Sequence, residues 1–512
     1  MNFKVAARVI SHLGAELISS DEIAIYELVK NGFDAGSEVV EVNICYKIST
    51  KFIRELQALV KNKIGHDQKT KIPSILLDDL DKKIHTLGST CDFYCELTDE
   101  QITTYVKSIH TAKNYRELIT AIGRINYIEI VDQGEGMTID EVERYYFTVG
   151  TTHRKQQVLD LIKLGDNARP PTGEKGIGRL SAMRLGHNLE MLTISENSPD
   201  ETYVSVNWND FEHLNESEVS DIPIDVHTRK RSATKAGTYI CISDLSSDWS
   251  KPKIESLATK HLAKFIDPFN PKSCPLTISL KWNGLPIKTR ELIRKYLDSC
   301  QNSLVCHVEM IDGHAELESY FVFGEVQANP RKEFTRTYTI ADFNGLTDAM
   351  FAEVGPFDIE MYHFPRNKLK AIPLFASRVE VRKWLDEWCG GLMIFRDGIR
   401  VMPYGAEGDD WLDMDAKALR GRGFRVNRLQ TVGCVRISRT ANPGLIDQTN
   451  REGLRETPEF TYFHNIIRRH IQESFVSQLA QHMSKEKGDL DHLLEQVTGE
   501  YDALQECVDR LD

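Results

Sequence analysis

The chain has 512 residues, of which 41% are hydrophobic and 27% charged, with 32 Gly and 17 Pro. That balance belongs to a globular protein of two to four domains at roughly 150 residues each, and it excludes a disordered, fibrous or disulfide-stapled chain. The 63 Lys and Arg against 76 Asp and Glu leave a net charge of -13, so no general cationic coat for nucleic acid is expected.

No apolar run approaches the roughly 18 residues that a membrane-spanning helix needs. The opening segment MNFKVAARVISHLGAELISSDE is interrupted by His12 and Glu16 and has no small-residue cleavage site, so a cytoplasmic location is expected. The ten cysteines include no zinc-finger or redox spacing, which points to reduced, mostly buried thiols.

Residues 15 to 36 carry helix signals, with Ser19, Ser20 and Asp21 as caps ahead of IAIYELVKNGFDA. The strand VVEVNICY follows at about 39 to 46. Residues 50 to 125 form charged, helix-patterned runs that read as a helical insertion. YIEIVD at 127 to 132 is a strand running into the glycine turn QGEGM, and a helix begins near Ile139.

Between about 150 and 178 the chain is polar and rich in Gly, Pro and Thr, a composition suited to a loop that closes over a ligand. Helix RLSAMRLG, strand LEMLTIS, strands TYVSVNW and GTYICISDL, and helix KPKIESLATKHLAKF complete a first domain. The Pro-rich DPFNPKSCP at 266 to 275 marks its end. Residues 276 to 470 then supply strands LTISLKW, GGLMIFRDGIRV and TVGCVRIS and helices SRVEVRKWLDEW and FTYFHNIIRRHIQESF, a second α/β domain. From 490 onward, Leu490, Leu494, Val497, Tyr501, Leu504, Val508 and Leu511 form a heptad seam, compatible with a coiled coil or with a helix docked on its own domain.

Four short motifs carry the chemistry. Glu27, Asn31 and Asp34 recur at i, i+4 and i+7, placing carboxylate, carboxamide and carboxylate on one helix face. Asp132, Gly134, Gly136 and Met137 follow a strand, where an acid can accept from an amino group and glycines let a flat ring approach the backbone. Gly173-Glu174-Lys175-Gly176-Ile177-Gly178-Arg179 precedes an apolar helix, in the form of a phosphate cradle. It is neither a P-loop nor a dinucleotide fingerprint. Gly237-Thr238 opens the strand TYICISDL.

Taken in order, ELVKNGFDA, VDQGEGM, TGEKGIGRLSA and GTYICISDL resemble the GHKL superfamily of ATPases, which includes gyrase, MutL, the ninety-kilodalton heat-shock chaperones, MORC proteins and histidine kinases. The resemblance covers about residues 10 to 265. It implies a Bergerat-type α/β sandwich, a mixed sheet with helices on one face, binding ATP and Mg²⁺. By that likeness Asn31 would ligate Mg²⁺, Asp132 would bind the adenine amino group with Thr238 supporting it through water, Gly134, Gly136 and Met137 would frame the base, and Lys175, Gly176 and Gly178 would cover the phosphates. Glu27, one turn before Asn31, suits the base that activates water for hydrolysis.

GGLMIFRDGIRVMPYG and NPGLIDQTNREGLRETPEF look like the transducer region of multidomain members, and Arg451 resembles the arginine presented to the γ-phosphate. The expected organisation is an ATPase domain over 1–265 with its insertion at about 50–125, an α/β transducer-like domain over 276–470 and a helical segment over 471–512. The expected activity is Mg²⁺-dependent ATP hydrolysis driving a conformational or dimerisation switch. The resemblance also implies a homodimer and a partner effector, in bacterial antiviral defence or a DNA transaction. The competing readings are a non-hydrolysing ATP-sensing scaffold and a histidine kinase. The basic clusters Arg229-Lys230-Arg231 and Arg420, Arg422, Arg425, Arg428 read as solvated loops more readily than as phosphate contacts.

Overall fold

The computed structural model describes residues 18–64, 71–86, 97–148, 180–196, 198–213, 224–231, 234–324, 331–343, 345–366, 377–420, 426–448 and 453–509, with positions 6, 9, 218, 219 and 222. It divides into two compact units, residues 1–291 and 292–512. Each is built on its own mixed sheet with helices.

In the first unit, helix α1 (Asp21–Asp34) is started by Ser20, whose hydroxyl accepts from the Ile23 N–H at 3.2 Å. Strand β1 (Val39–Cys45) follows, then helices α2 (Thr50–Ile64), α3 (Ser74–Thr86), α4 (Asp99–His110) and α5 (Tyr115–Gly123), and then β2 (Tyr127–Asp132). These four helices lie between β1 and β2 and bury a core of their own, including Leu56, Val60, Leu80, Ile84, Ile109, Leu118 and Ile122. The remaining elements are α6 (Ser181–Leu185), β3 (Gly186–Ile194), β4 (Asp200–Asn207), β5 (Asp225–Lys230), β6 (Gly237–Leu245), α7 (Lys251–Ser256), β7 (Thr277–Trp282) and β8 (Leu285–Ile287).

The sheet order is β5-β4-β3-β6-β2-β1-β7-β8. Its register aligns Leu280, Val42, Ile130, Ile240, Met191 and Val204 in one row across six strands. All six are buried, because side chains two residues apart share a face and apolar rows face the core. Helix α1 packs on β1, β2 and α6.

One expectation is corrected here. The strand LTISLKW was placed after the domain boundary at 266–275, yet it is β7 and pairs in parallel with β1. A Pro-rich stretch reads as a linker by composition, but this one is a compact connection within the first unit, with Phe269 and Asp267 buried.

The second unit has the sheet order β11-β10-β9-β12-β15-β13-β14. Its strands are β9 (Asn302–Ile311), β10 (His314–Phe323), β11 (Lys332–Thr339), β12 (Phe357–His363), β13 (Gly391–Arg396), β14 (Ile399–Val401) and β15 (Thr431–Ile437). Leu304, Phe321, Phe323, Ile359, Phe463, Ile466 and Phe475 belong to one core cluster. The closing helix runs Val476–Asp509. Its described seam residues Leu494 and Val497 are 55% and 56% exposed, so the helix is not docked at those two positions. Among the described residues, no helix is long and apolar enough to cross a membrane.

Candidate active site

The site grows out of the sheet register. Two residues beyond the buried Ile130 row, the pairing Val40, Asp132, Thr238, Thr193 and Thr202 places a carboxylate and three hydroxyls side by side on the core face. Asp132 Oδ1 accepts from the Gly134 N–H at 2.9 Å and from the Thr238 N–H at 3.2 Å. Among the described residues both of these bonds go to the same oxygen. Burial holds the Asp132 carboxyl above the usual carboxylate range, with the two backbone donors pulling the other way.

Thr193 ties the turn after β2 to this row. Its hydroxyl accepts from the Met137 N–H at 2.8 Å and lies 3.1 Å from the Thr238 hydroxyl. Thr193 is not legible in the sequence, because nothing in LEMLTIS marks one threonine among apolar neighbours. Only its pairing with Thr238 reveals it. Ser37 was missed for the same reason: its hydroxyl accepts from the Gln133 N–H at 2.9 Å and so braces the turn from the far side.

The glycines of this turn are needed for close approach. A Cβ at Gly134 would lie 2.5 Å from the Ala35 carbonyl oxygen, and one at Gly136, where φ is +64°, would lie 1.9 Å from the Ile194 carbonyl oxygen. The Glu135 N–H also donates to the Ala35 carbonyl at 2.9 Å. The turn is therefore clamped between the end of α1 and the end of β3. A Cβ at Gly32 would sit 3.0 Å from the Asp132 Cβ, so α1 itself passes directly over Asp132.

On α1, Glu27 is 1% exposed while Asn31 and Asp34 are half-buried. One turn separates the first two along the helix. A buried carboxylate followed by a carboxamide is a face that can meet a charged ligand, since α1 carries its apolar side chains Ile25, Leu28, Val29 and Phe33 buried as well.

The structure thus brings Asp132, Gly134, Gly136, Met137 and Thr238 together against α1, which carries Glu27 and Asn31. Lys175, Gly176 and Gly178, with the rest of segment 149–179, lie outside the described residues, as does Arg451. The chain flanking Arg451 is described: Asp447 bridges Leu454, and the Tyr404 hydroxyl accepts from the Leu454 N–H at 2.8 Å.

In both basic clusters, described members serve the chain's own acceptors. Arg229 pairs with the buried Glu201 at 2.5 Å, and Arg231 donates to the carbonyls of Ser195, Glu196, Ser198 and Thr234. Arg428 pairs with Asp415 at 2.7 Å. Arg422 and Arg425 lie outside the described residues.

Residues 102–238 match the family described as Histidine kinase-, DNA gyrase B-, and HSP90-like ATPase. The match supports the likeness of this part of the first unit to the GHKL superfamily of ATPases. No curated protein matches the chain.

Proposed function

We propose that the first unit binds ATP with Mg²⁺ at the face formed by α1, the 132–138 turn and β6, and hydrolyses it. The observation that carries this reading is the row of Asp132, Thr238 and Thr193 beneath a glycine turn, with Glu27 and Asn31 on the helix above. Asp132 would accept from the adenine amino group through the oxygen that the backbone donors leave open, and Gly134, Gly136 and Met137 would border the base. Lys175, Gly176 and Gly178 are the residues proposed to cover the phosphates.

The donors fit a hard cation. Asn31 offers a half-buried carboxamide oxygen one turn from a buried carboxylate, and Mg²⁺ takes few protein oxygens alongside phosphate and water. Among the described residues no group of three His, Cys, Asp or Glu could hold a metal, so phosphate oxygens would complete the shell. When bound, the ion would neutralise charge developing on the phosphates.

Glu27 would take a proton from a water aligned with the γ-phosphorus. The new P–O bond forms as the bond to the β-phosphate oxygen breaks, giving ADP and inorganic phosphate. Arg451 is the proposed γ-phosphate sensor, and its replacement by alanine lowers turnover while leaving nucleotide affinity within a few-fold. Closure on ATP and reopening on hydrolysis would make the protein a switch working as a homodimer with a partner effector, which suits a defence or DNA-transaction complex.

The test is phosphate release by the full chain. Mg²⁺-dependent release from ATP that stops on chelation is expected. Release that ignores chelation, or acid-labile label transferred from γ-labelled ATP to the protein, contradicts it.

A further inference from the structure

Asp21 opens helix α1 yet is only 7% exposed. An acid in the first turn of a helix normally stays in water, where it complements the helix dipole. Here Ser20 already provides the cap, and the Asp21 carboxylate is engaged elsewhere. Its Oδ1 accepts from Arg184 Nε at 3.1 Å, and its Oδ2 accepts from both Lys253 Nζ and the Ser247 hydroxyl. Lys253 also donates to Ser247 at 3.0 Å and rests 4.2 Å over the Trp249 ring. Burial pushes the carboxyl up, and Lys253, Ser247 and Arg184 outweigh it, holding Asp21 below the usual carboxylate range.

These partners come from three separate places. Arg184 lies on α6, the helix that begins two residues after the glycine-rich segment 173–179. Ser247 lies on the connection that follows β6, and Lys253 lies on α7. Asp21 therefore joins the helix that bears Glu27 and Asn31 to the helix that follows the phosphate-type motif, and ties both to α7 and the connection before it. Glu27 stands six residues further along α1, about 9 Å at 1.5 Å per residue, whereas Asp132, Thr238 and Thr193 of the adenine row are also held to one another by the pairing of β2, β6 and β3.

We propose that Asp21 is a positioning residue, fixing α1 against α6 so that Glu27 and Asn31 meet the phosphates in register, and that it sets turnover and not nucleotide affinity. This rests on the ATPase reading of the site. In-line transfer is steep in distance, with misplacement near 1 Å costing roughly a hundredfold. The Asp21→Asn variant keeps the shape and one acceptor oxygen and removes the charge that gathers both cations.

The experiment compares full-length wild type, Asp21→Asn, Asp21→Glu, Arg184→Lys and Glu27→Ala for kcat, KM for Mg-ATP and thermal midpoint. Asp21→Asn should lower kcat on the order of tenfold with KM within threefold, the scale of a sub-ångström displacement, and Asp21→Glu should recover part of the loss. If Asp21→Asn fails to fold, Arg184→Lys must show the same split, because its side chain is 37% exposed and its charge is retained. A lowered thermal midpoint with kcat within twofold of wild type overturns the proposal, as does KM rising in step with lost turnover. Glu27→Ala separates the two levels. If it retains turnover, the ATPase assignment has failed; if it abolishes turnover while Asp21→Asn matches wild type, the positioning role alone has failed.

Discussion

Replacing Gly136 by alanine asks whether the turn after β2 is held as tightly as its geometry shows. At φ +64° any L side chain pays for the left-handed backbone, about 1–2 kcal/mol. The new Cβ would also lie 1.9 Å from the Ile194 carbonyl oxygen, and a backbone atom cannot rotate away. Relief requires the turn or the end of β3 to shift. That strains the Met137 to Thr193 bond and the pairing of Ile194 with Gly237, each worth about 1 kcal/mol net. The sum is about 3 kcal/mol or more.

Gly36 supplies the control. Its φ is +77°, and a Cβ there meets nothing within 4 Å, so Gly36→Ala carries the backbone cost alone. At roughly 2–4 °C per kcal/mol for a domain of this order, Gly136→Ala should lower the first unit's melting midpoint by roughly 6 °C or more. Gly36→Ala should lower it by roughly 2–8 °C, and by less than Gly136→Ala, because the backbone cost is common to both. Thermal scans with and without ATP read both effects, and only Gly136→Ala should also lose most of the nucleotide-induced stabilisation. Equal shifts for the two variants, or a full ATP effect in Gly136→Ala, would refute the reasoning.

Other outcomes follow from the same geometry. Asp132 has a raised carboxyl pKa, so its contribution to stability is present at low pH and lost as pH rises through the folded value; Asp132→Asn should therefore not lower the ligand-free melting midpoint at neutral pH. It should weaken ATP binding by about 1.5–3 kcal/mol, roughly 10- to 100-fold by calorimetry. Thr193→Val leaves the Met137 N–H without its acceptor and should cost about 1–3 kcal/mol in denaturant unfolding, together with weaker nucleotide binding. In the second unit, burial pushes His363 down to about 4 and His470 down to about 3. Their neutral forms support the fold fully above the ordinary 6.5 and that support is lost as pH falls through the folded values, so acid unfolding followed by tryptophan fluorescence should become shallower in His470→Gln.

Much of the first unit was legible because periodicity and punctuation agreed. Ser20 capped α1 where the sequence indicated, YIEIVD became β2 to the residue, and the four insertion helices each had a clear apolar stripe. The strand β7 was assigned to the wrong unit because pairing partners are not written in composition: Thr277–Trp282 lies beside β1, more than two hundred residues earlier. Strand β5, DVHTRK, was missed because it is a polar edge strand whose side chains are almost all exposed. Within the candidate site, Asp132, Gly134 and Gly136 stand out by local spacing. Thr193 and Gly32 act through contacts across the sheet and between helix and strand, which no local pattern announces. Asp21 was noted only as a cap, and its three partners lie more than one hundred and sixty residues away.

The central claim is that Glu27 drives water onto bound ATP. Single-turnover phosphate release by Glu27→Ala, with ATP binding measured on the same sample, tests it most directly. Retained binding with release abolished is the predicted result; release at the wild-type rate, or loss of binding and release together in a folded protein, would contradict it.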